Sequence, residues 1–262
     1  MNIEQSKQNI TLIGAGIMSA TLGVLLKKLL PNAQITIFER LDKAGQESSD
    51  AWNNAGTGHS AFCELNYTPE KEDGSIDLSK ALRISEQFEV SKQFWAYLKE
   101  RGNLSQRKAF INDIDHMSLV WGADNVAFLK KRYEAMVQYP IFEDMLYSED
   151  PQQITEWTPL MMEGRTGEDP IAATRMAIGT DVNFGDITRG MIRYLEDLKG
   201  VEVNMAHEVQ NIEKQPDGRW LVGTENLTTG KSKETLADFV FIGAGGGALK
   251  LLDKSGIPEA NG

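Results

Sequence analysis

With one cysteine in 262 residues, Cys63, the chain can form no internal disulfide framework. That scarcity favours a reducing compartment, and the ordinary reading of a lone thiol is a small buried hydrophobe. Basic residues are also short, 27 Lys and Arg against 38 Asp and Glu, for a formal net charge of −11. A broad electrostatic grip on nucleic acid or anionic lipid is thereby excluded, and no nucleic-acid partner is expected. No apolar run approaches the ~18 residues that span a bilayer, and the opening MNIEQSKQNI lacks the apolar core of a signal peptide. Histidine is scarce too: His59, His116 and His207 are the whole supply. No metal site is expected.

The chain does contain enough apolar residues for a sizeable core, 41% against 25% charged. Its first clear pattern is NITLIGAGIMSATLGVLLKKLLPNAQITIFER, Asn9 to Arg40. Thr11 to Ile13 reads as a short buried strand entering Gly14 and Gly16, and a helix follows from Ile17 with Leu22, Leu25, Leu26 and Leu29 at helical spacing until Pro31. Gln34 to Phe38 alternates as a second strand, so the segment is a βαβ unit whose crossover demands a parallel pair. Gly14 permits a tight turn, Gly16 permits close approach of a pyrophosphate, and the helix N-terminus stabilises phosphate charge. Glu39, 25 residues after Gly14 (39 − 14), is placed to accept a ribose hydroxyl. An adenine dinucleotide site follows, with Gly14, Ala15, Gly16, Ile17, Met18, Ser19, Glu39 and Arg40 as its residues; the alternative is a purely structural glycine turn. Ser19 stands where the third glycine of the pattern belongs.

Beyond this unit, Asn53 to Phe62 reads NNAGTGHSAF, a dense uncharged loop, and Thr68 to Ser75 is polar and turn-rich. Ile76 to Arg101 and Ala123 to Tyr139 read as helices and His116 to Trp121 as a strand, whereas Pro151 to Pro170 reads as loop. A helix over Ile187 to Leu198 and strands over Val201 to Met205, His207 to Ile212, Arg219 to Val222 and Asp238 to Ile242 follow. The last strand enters a second glycine turn and helix, GAGGGALKLL, Gly243 to Leu252, so backbone approaches a cofactor from two sides. His207 is expected to be exposed and far from both glycine turns. The fold class is α/β: a Rossmann-like parallel sheet over residues 1–70 and 179–262, with an inserted, partly helical α+β domain over 71–178.

The segments LIGAGIMSATLG, ESSDAWNNAGTGHSAFCELNYTP, GSIDLSKA, HMSLVWG, EGRTGEDPIAATR, GTDVNFGDITR and FVFIGAGGGALKLLDKSGIPE carry a resemblance over nearly the whole chain. The sequence resembles the N-terminal half of the malate:quinone oxidoreductases, flavoproteins of the glutathione-reductase-like FAD superfamily. Two departures stand out: members of that family are roughly twice as long, and Asp115 precedes His116 where the family usually shows a proline. The resemblance implies a fragment whose closing sheet elements lie beyond Gly262. It also implies non-covalent FAD, L-malate as substrate, and membrane quinone as electron acceptor in the citric acid cycle and respiratory chain. The intact enzyme would then be cytoplasmic and peripheral on the inner face of the cell membrane. FAD contacts implied beyond the βαβ unit are Asn53, Asn54, Ala55, Gly56, Thr57, Gly58, His59, Val209, Gly243, Ala244, Gly245 and Gly246.

Oxidising a 2-hydroxy acid needs a hydride acceptor, a base and cations for carboxylates. Flavin supplies the first. His59 and His116 are the candidate bases, because imidazole titrates near neutral pH. Arg165 and Arg175 are the candidate carboxylate forks and Asn183 a candidate for orienting substrate, or a turn former. Three rivals share parts of this pattern: an FAD enzyme of another 2-hydroxy or amino acid, an NAD-dependent dehydrogenase, and an inactive nucleotide-binding fragment.

Overall fold

Alternating β-branched runs and glycine punctuation resolve, in a computed structural model, into a mixed α/β chain described over residues 7–105, 109–165, 167 and 169–257. Residues 1–6 of the opening segment, Thr166 and Glu168 of EGRTGEDP, and Pro258 and Glu259 of the last family-like segment lie outside the described residues. In chain order the elements begin with β1 (Asn9–Ile13), α1 (Ile17–Leu29), β2 (Gln34–Phe38), α2 (Ser79–Glu100), β3 (Ile111–Asp113), β4 (His116–Trp121) and α3 (Ala123–Met136). They continue with β5 (Leu146–Ser148), α4 (Pro151–Trp157), α5 (Pro159–Met162), β6 (Ile171–Met176), β7 (Thr180–Val182) and α6 (Phe184–Glu196). The last are β8 (Val201–Asn204), β9 (His207–Lys214), β10 (Trp220–Asn226), β11 (Ser232–Ala237), β12 (Phe239–Ile242) and α7 (Ala248–Lys254). Two compact units result, each discontinuous: Met1–Gly56 with Leu98–Phe110 and Asn183–Gly262, and Thr57–Tyr97 with Ile111–Val182.

The first unit is organised by a four-stranded parallel sheet of order β12-β1-β2-β8. β1 is central and, after Asn9, buried throughout, as a strand covered on both faces must be. α1 packs beside α6, and Gly23 is the contact that allows it: a methyl there would lie 2.9 Å from the Leu195 side chain. Lys27 fastens the end of α1 by donating to the carbonyls of Pro31, Ala33 and Lys199 at 2.7, 3.0 and 3.0 Å. Burial lowers its pKa. An antiparallel sheet β11-β10-β9 intervenes in sequence between β8 and β12, and Ile13, Phe38, Val209, Ile212, Val222 and Leu251 form one core cluster with it.

The second unit holds two antiparallel sheets, β4-β6-β5 and β3-β7. Its most buried large side chain is charged. Arg132 on α3 is fully buried and donates from Nη2 to the carbonyls of Ala61 and Phe62 at 3.0 and 3.1 Å and from Nε to Thr68 Oγ1 at 3.0 Å. Desolvation pushes its pKa down to about 10, opposed by the nearby Cys63 and Glu64. Ala61 is left-handed, φ +62°, a strained position for a residue with a Cβ, and the guanidinium holds the carbonyl there.

Several elements differ from the sequence expectation. The stretch Pro151 to Pro170, read as loop, begins with two short helices, α4 and α5. Both start on proline at the first helical turn, and Asp150 caps α4 by accepting from Gln152 N at 3.0 Å. β6 carries no strand alternation in its sequence, because nearly every residue of IAATRM is buried. β11 carries Lys233 and Glu234 on an exposed strand and reads as loop.

Replacing Arg132 by Met strands buried carbonyls, and we expect a loss of about 3 kcal/mol of unfolding free energy in a denaturant titration. An unchanged midpoint and slope would contradict that role for the guanidinium.

Candidate functional site

The first unit contains a cleft of about 720 Å³ at the C-terminal ends of β1 and β12, bordered by both glycine turns. The turns are packed against each other. Gly14 has φ +90°, and a Cβ there would lie 2.5 Å from the carbonyl oxygen of Gly243. Gly14 N donates to Phe38 O at 2.7 Å and Gly243 N to Ile13 O at 2.8 Å, so each turn continues its strand's ladder. A Cβ on Gly243 would strike the Ser19 hydroxyl and the Phe241 ring. Ser19 is fully buried, with its Oγ unpartnered: the hydroxymethyl group packs under the second turn where a third glycine would have left space.

Gly16 differs from both. It caps α1 at φ −84°, ψ −179°, an ordinary extended conformation, and a methyl there would meet only Ser49 Oγ at 3.6 Å. No steric reason within the protein requires glycine here, so the open cradle fits a ligand that approaches the backbone. The first turn of α1 contains no acidic side chain of its own. Glu39, at the end of β2, accepts from Ala15 N at 2.7 Å through Oε2 and from Leu41 N at 2.9 Å through Oε1. The carboxylate is thereby fixed, with lone pairs left for hydroxyl donors.

Of the residues expected to touch a dinucleotide, Gly14, Gly16, Ile17, Met18, Glu39, Arg40, Val209 and Gly243 to Gly246 all border this cleft. Ala15 and Ser19 are buried beneath it. His207, expected to be exposed and remote, is half-buried on the cleft wall. Its Nδ1 donates to Met205 O at 2.8 Å and its Nε2 accepts from Asn226 at 3.1 Å, which fixes the tautomer. Sequence reasoning missed the wall formed by Gly45 to Ser49. Gly45 N donates to Ala15 O at 3.1 Å, and Ser49 Oγ accepts from Ile17 N at 3.1 Å at the head of α1. Asn53 and Asn54 act on this wall, donating to Glu47 O at 3.2 Å and Ser48 O at 3.0 Å; Asn54 also accepts from Gly56 N at 2.9 Å. Ala55 is exposed beside them and Gly56 is left-handed at φ +72°.

The remaining candidates fall mostly in the second unit. Thr57 bridges Asp181, and Gly58 N donates to Thr180 O at 2.9 Å. Thr180 leaves no room for a Cβ on Gly58, so protein packing by itself explains that glycine. His59 is half-exposed; its Nδ1 lies 3.4 Å from Glu64 Oε1 and 3.5 Å from the Tyr67 hydroxyl. His116 is buried against Phe62. Thr180 O lies 3.1 Å from its Nε2 and can only accept, so that nitrogen carries a hydrogen, while Nδ1 is buried without a hydrogen-bond partner. Arg175 donates to Asp115 at 2.6 Å, and Arg165 lies over the Trp121 ring at 5.2 Å. In the β4–β6 register Arg175 opposes Met117, four residues from Trp121, or about 13 Å along the strand. The two arginines are therefore not brought together. Asn183 belongs to the first unit, where its side chain caps α6 by accepting from Asp186 N at 3.0 Å.

Burial, then the facing Glu64, pushes the Cys63 thiol up to about 11, so almost none is thiolate at neutral pH. We expect iodoacetamide to alkylate it on the order of 100-fold more slowly than a free thiol at pH 8; a rate equal to that of glutathione would contradict the half-buried, acid-faced setting. Gly14→Ala should lower stability by ~2 kcal/mol and Gly16→Ala by no more than ~0.5 kcal/mol, compared by thermal unfolding. Equal losses would contradict the distinction between a packed turn and an open cradle.

Comparison with known proteins agrees with the geometry. A probable malate:quinone oxidoreductase of Flavobacterium psychrophilum is 58% identical over 259 residues, 99% of this chain and 52% of that protein. Those of Geobacillus kaustophilus and Pseudomonas aeruginosa are 57% and 56% identical, with 100% of this chain covering 52% and 50% of theirs. The chain thus spans about half the length of the relatives it matches. Among solved structures, glycine oxidase from Geobacillus kaustophilus has a TM-score of 0.67 at 18% identity, over 94% of this chain and 58% of that one. Reduced L-α-glycerophosphate oxidase from Mycoplasma pneumoniae with FAD bound has a TM-score of 0.54 at 16% identity, over 90% and 53%. These last two share the fold. The family model for malate:quinone oxidoreductase matches residues 6–262, and the chain belongs to that family.

Proposed function

We propose that the first unit holds FAD and that the protein oxidises L-malate to oxaloacetate, delivering the electrons to membrane quinone. The observation that carries the cofactor is the open cradle at Gly16 beside the fixed Glu39 carboxylate; family membership carries the substrate and acceptor. In this reading the N-terminus of α1 faces the pyrophosphate and Glu39 accepts from a ribose hydroxyl. FAD, when bound, supplies the acceptor for the hydride leaving C2 and passes the two electrons on to quinone. His59 takes the hydroxyl proton on Nε2, which has no protein partner among the described residues. His116, buried and bonded to Thr180 O, is the weaker candidate for that task. Arg175, held by Asp115, offers its remaining N–H groups to a substrate carboxylate. Arg165 would engage substrate only as a separate contact. Asn183 is better accounted for as a helix cap.

Among the described residues no helix is long and apolar enough to cross a membrane. Delivery to quinone in this reading is by peripheral contact, on the cytoplasmic face. The protein with FAD should show bleaching of the flavin absorption on anaerobic addition of L-malate and recovery on addition of a soluble quinone. Bleaching by 2-hydroxyglutarate or an amino acid, with none by malate, would replace the substrate. Release of all flavin on denaturation is expected, and colour retained on the unfolded chain would contradict non-covalent binding.

A further inference from the structure

The second unit contains a carboxylate whose position the proposed chemistry has not used. Glu64 follows Cys63 in the loop that Arg132 clamps, and its side chain is only 15% exposed. Both of its oxygens are buried, and neither has a nitrogen or oxygen donor in hydrogen-bond geometry. A buried carboxylate left so is costly, and Arg132 is already committed to the carbonyls of Ala61 and Phe62. Beside it are the Cys63 thiol, a weak donor, and His59, whose Nδ1 makes an ion-pair contact at 3.4 Å from Oε1 without the geometry of a hydrogen bond. The Tyr67 hydroxyl lies 3.5 Å from the same nitrogen.

We infer that Glu64 is the positioning residue for His59, holding the neutral imidazole in its Nδ1–H form so that Nε2 presents a lone pair outward. An ionised carboxylate can only accept, so when this contact closes to a hydrogen bond the hydrogen between the two sits on nitrogen. The other nitrogen, on the half-exposed side of the ring, is then the basic one. A phenol could serve either tautomer; a carboxylate serves one. Through this contact a strained and clamped loop sets the tautomer of a residue at its surface: Ala61 left-handed, its carbonyl on Arg132, and Glu64 three residues on. The catalytic meaning of the arrangement rests on the proposal that His59 is the base; the tautomer itself does not.

The test is 15N NMR of the intact, histidine-labelled protein, in which only three imidazoles need assignment. Wild-type His59 should appear as the Nδ1–H tautomer in its neutral state, and Glu64→Ala should convert it to the Nε2–H form that free histidine prefers. Tyr67→Phe should leave it Nδ1–H. An Nε2–H tautomer in the wild type overturns the assignment without recourse to any variant, as does reversal by Tyr67→Phe in place of Glu64→Ala. Flavin reduction by L-malate separates the two levels: Glu64→Ala should slow it by ~10-fold or more with KM little changed. If the tautomers are as stated and no hydroxy acid reduces the flavin, the functional reading fails and the Glu64–His59 link stands.

Discussion

The contact between the two glycine turns sets the geometry on which the rest of the first unit depends. β1 and β12 are parallel neighbours, and both must turn sharply at the same level of the sheet. With Gly14 against the Gly243 carbonyl there is no space for a side chain on either, and Ser19 fills what remains beneath. Because the turns close on each other, they leave a cleft on their outer side. Into that cleft the chain presents backbone at Gly16 and Gly246 and a rigid acceptor at Glu39. The protein half of the site is thus preorganised, its acceptor held by backbone amides before a ligand arrives.

The second unit solves a different problem with a buried cation. Arg132 satisfies carbonyls in the segment from Ala61 to Phe62, whose neighbours His59, Cys63, Glu64 and Tyr67 are the polar cluster of that unit. Desolvation works against the guanidinium and the thiol alike. The hydrogen bonds of Arg132 offset its burial, whereas Glu64 lacks such bonds and turns toward an imidazole. Two buried charges therefore meet this loop: Arg132 donates three hydrogen bonds and leaves Nη1 unpartnered, whereas Glu64 accepts none from nitrogen or oxygen.

Much of the first unit was legible because its signals are local. Strand, glycine, helix and acid lie within Asn9 to Arg40, and the elements appear there with bounds shifted by a residue or two. The second glycine turn was equally visible. What was not legible depends on partners distant in sequence: His207 reaches the cleft wall because β9 packs against the α7 side of the sheet, which no local pattern reports. Gly58 looked like ligand-facing backbone, yet Thr180, far along the chain, accounts for it. The wall at Gly45 to Ser49 is polar and irregular, without periodicity to mark it. Asp150-Pro151 and Thr158-Pro159 did offer start signals for α4 and α5, which the proline-rich look of the segment obscured.

The central claim is that the paired glycine turns and Glu39 form the FAD site. Hydrogen–deuterium exchange of the protein with and without FAD tests it most directly, because the ligand should lie on backbone amides. Slower exchange confined to residues 14–18, 39–41, 45–49 and 243–247 is the predicted result. FAD bound with no protection at those amides, or protection confined to the second unit, would contradict the account.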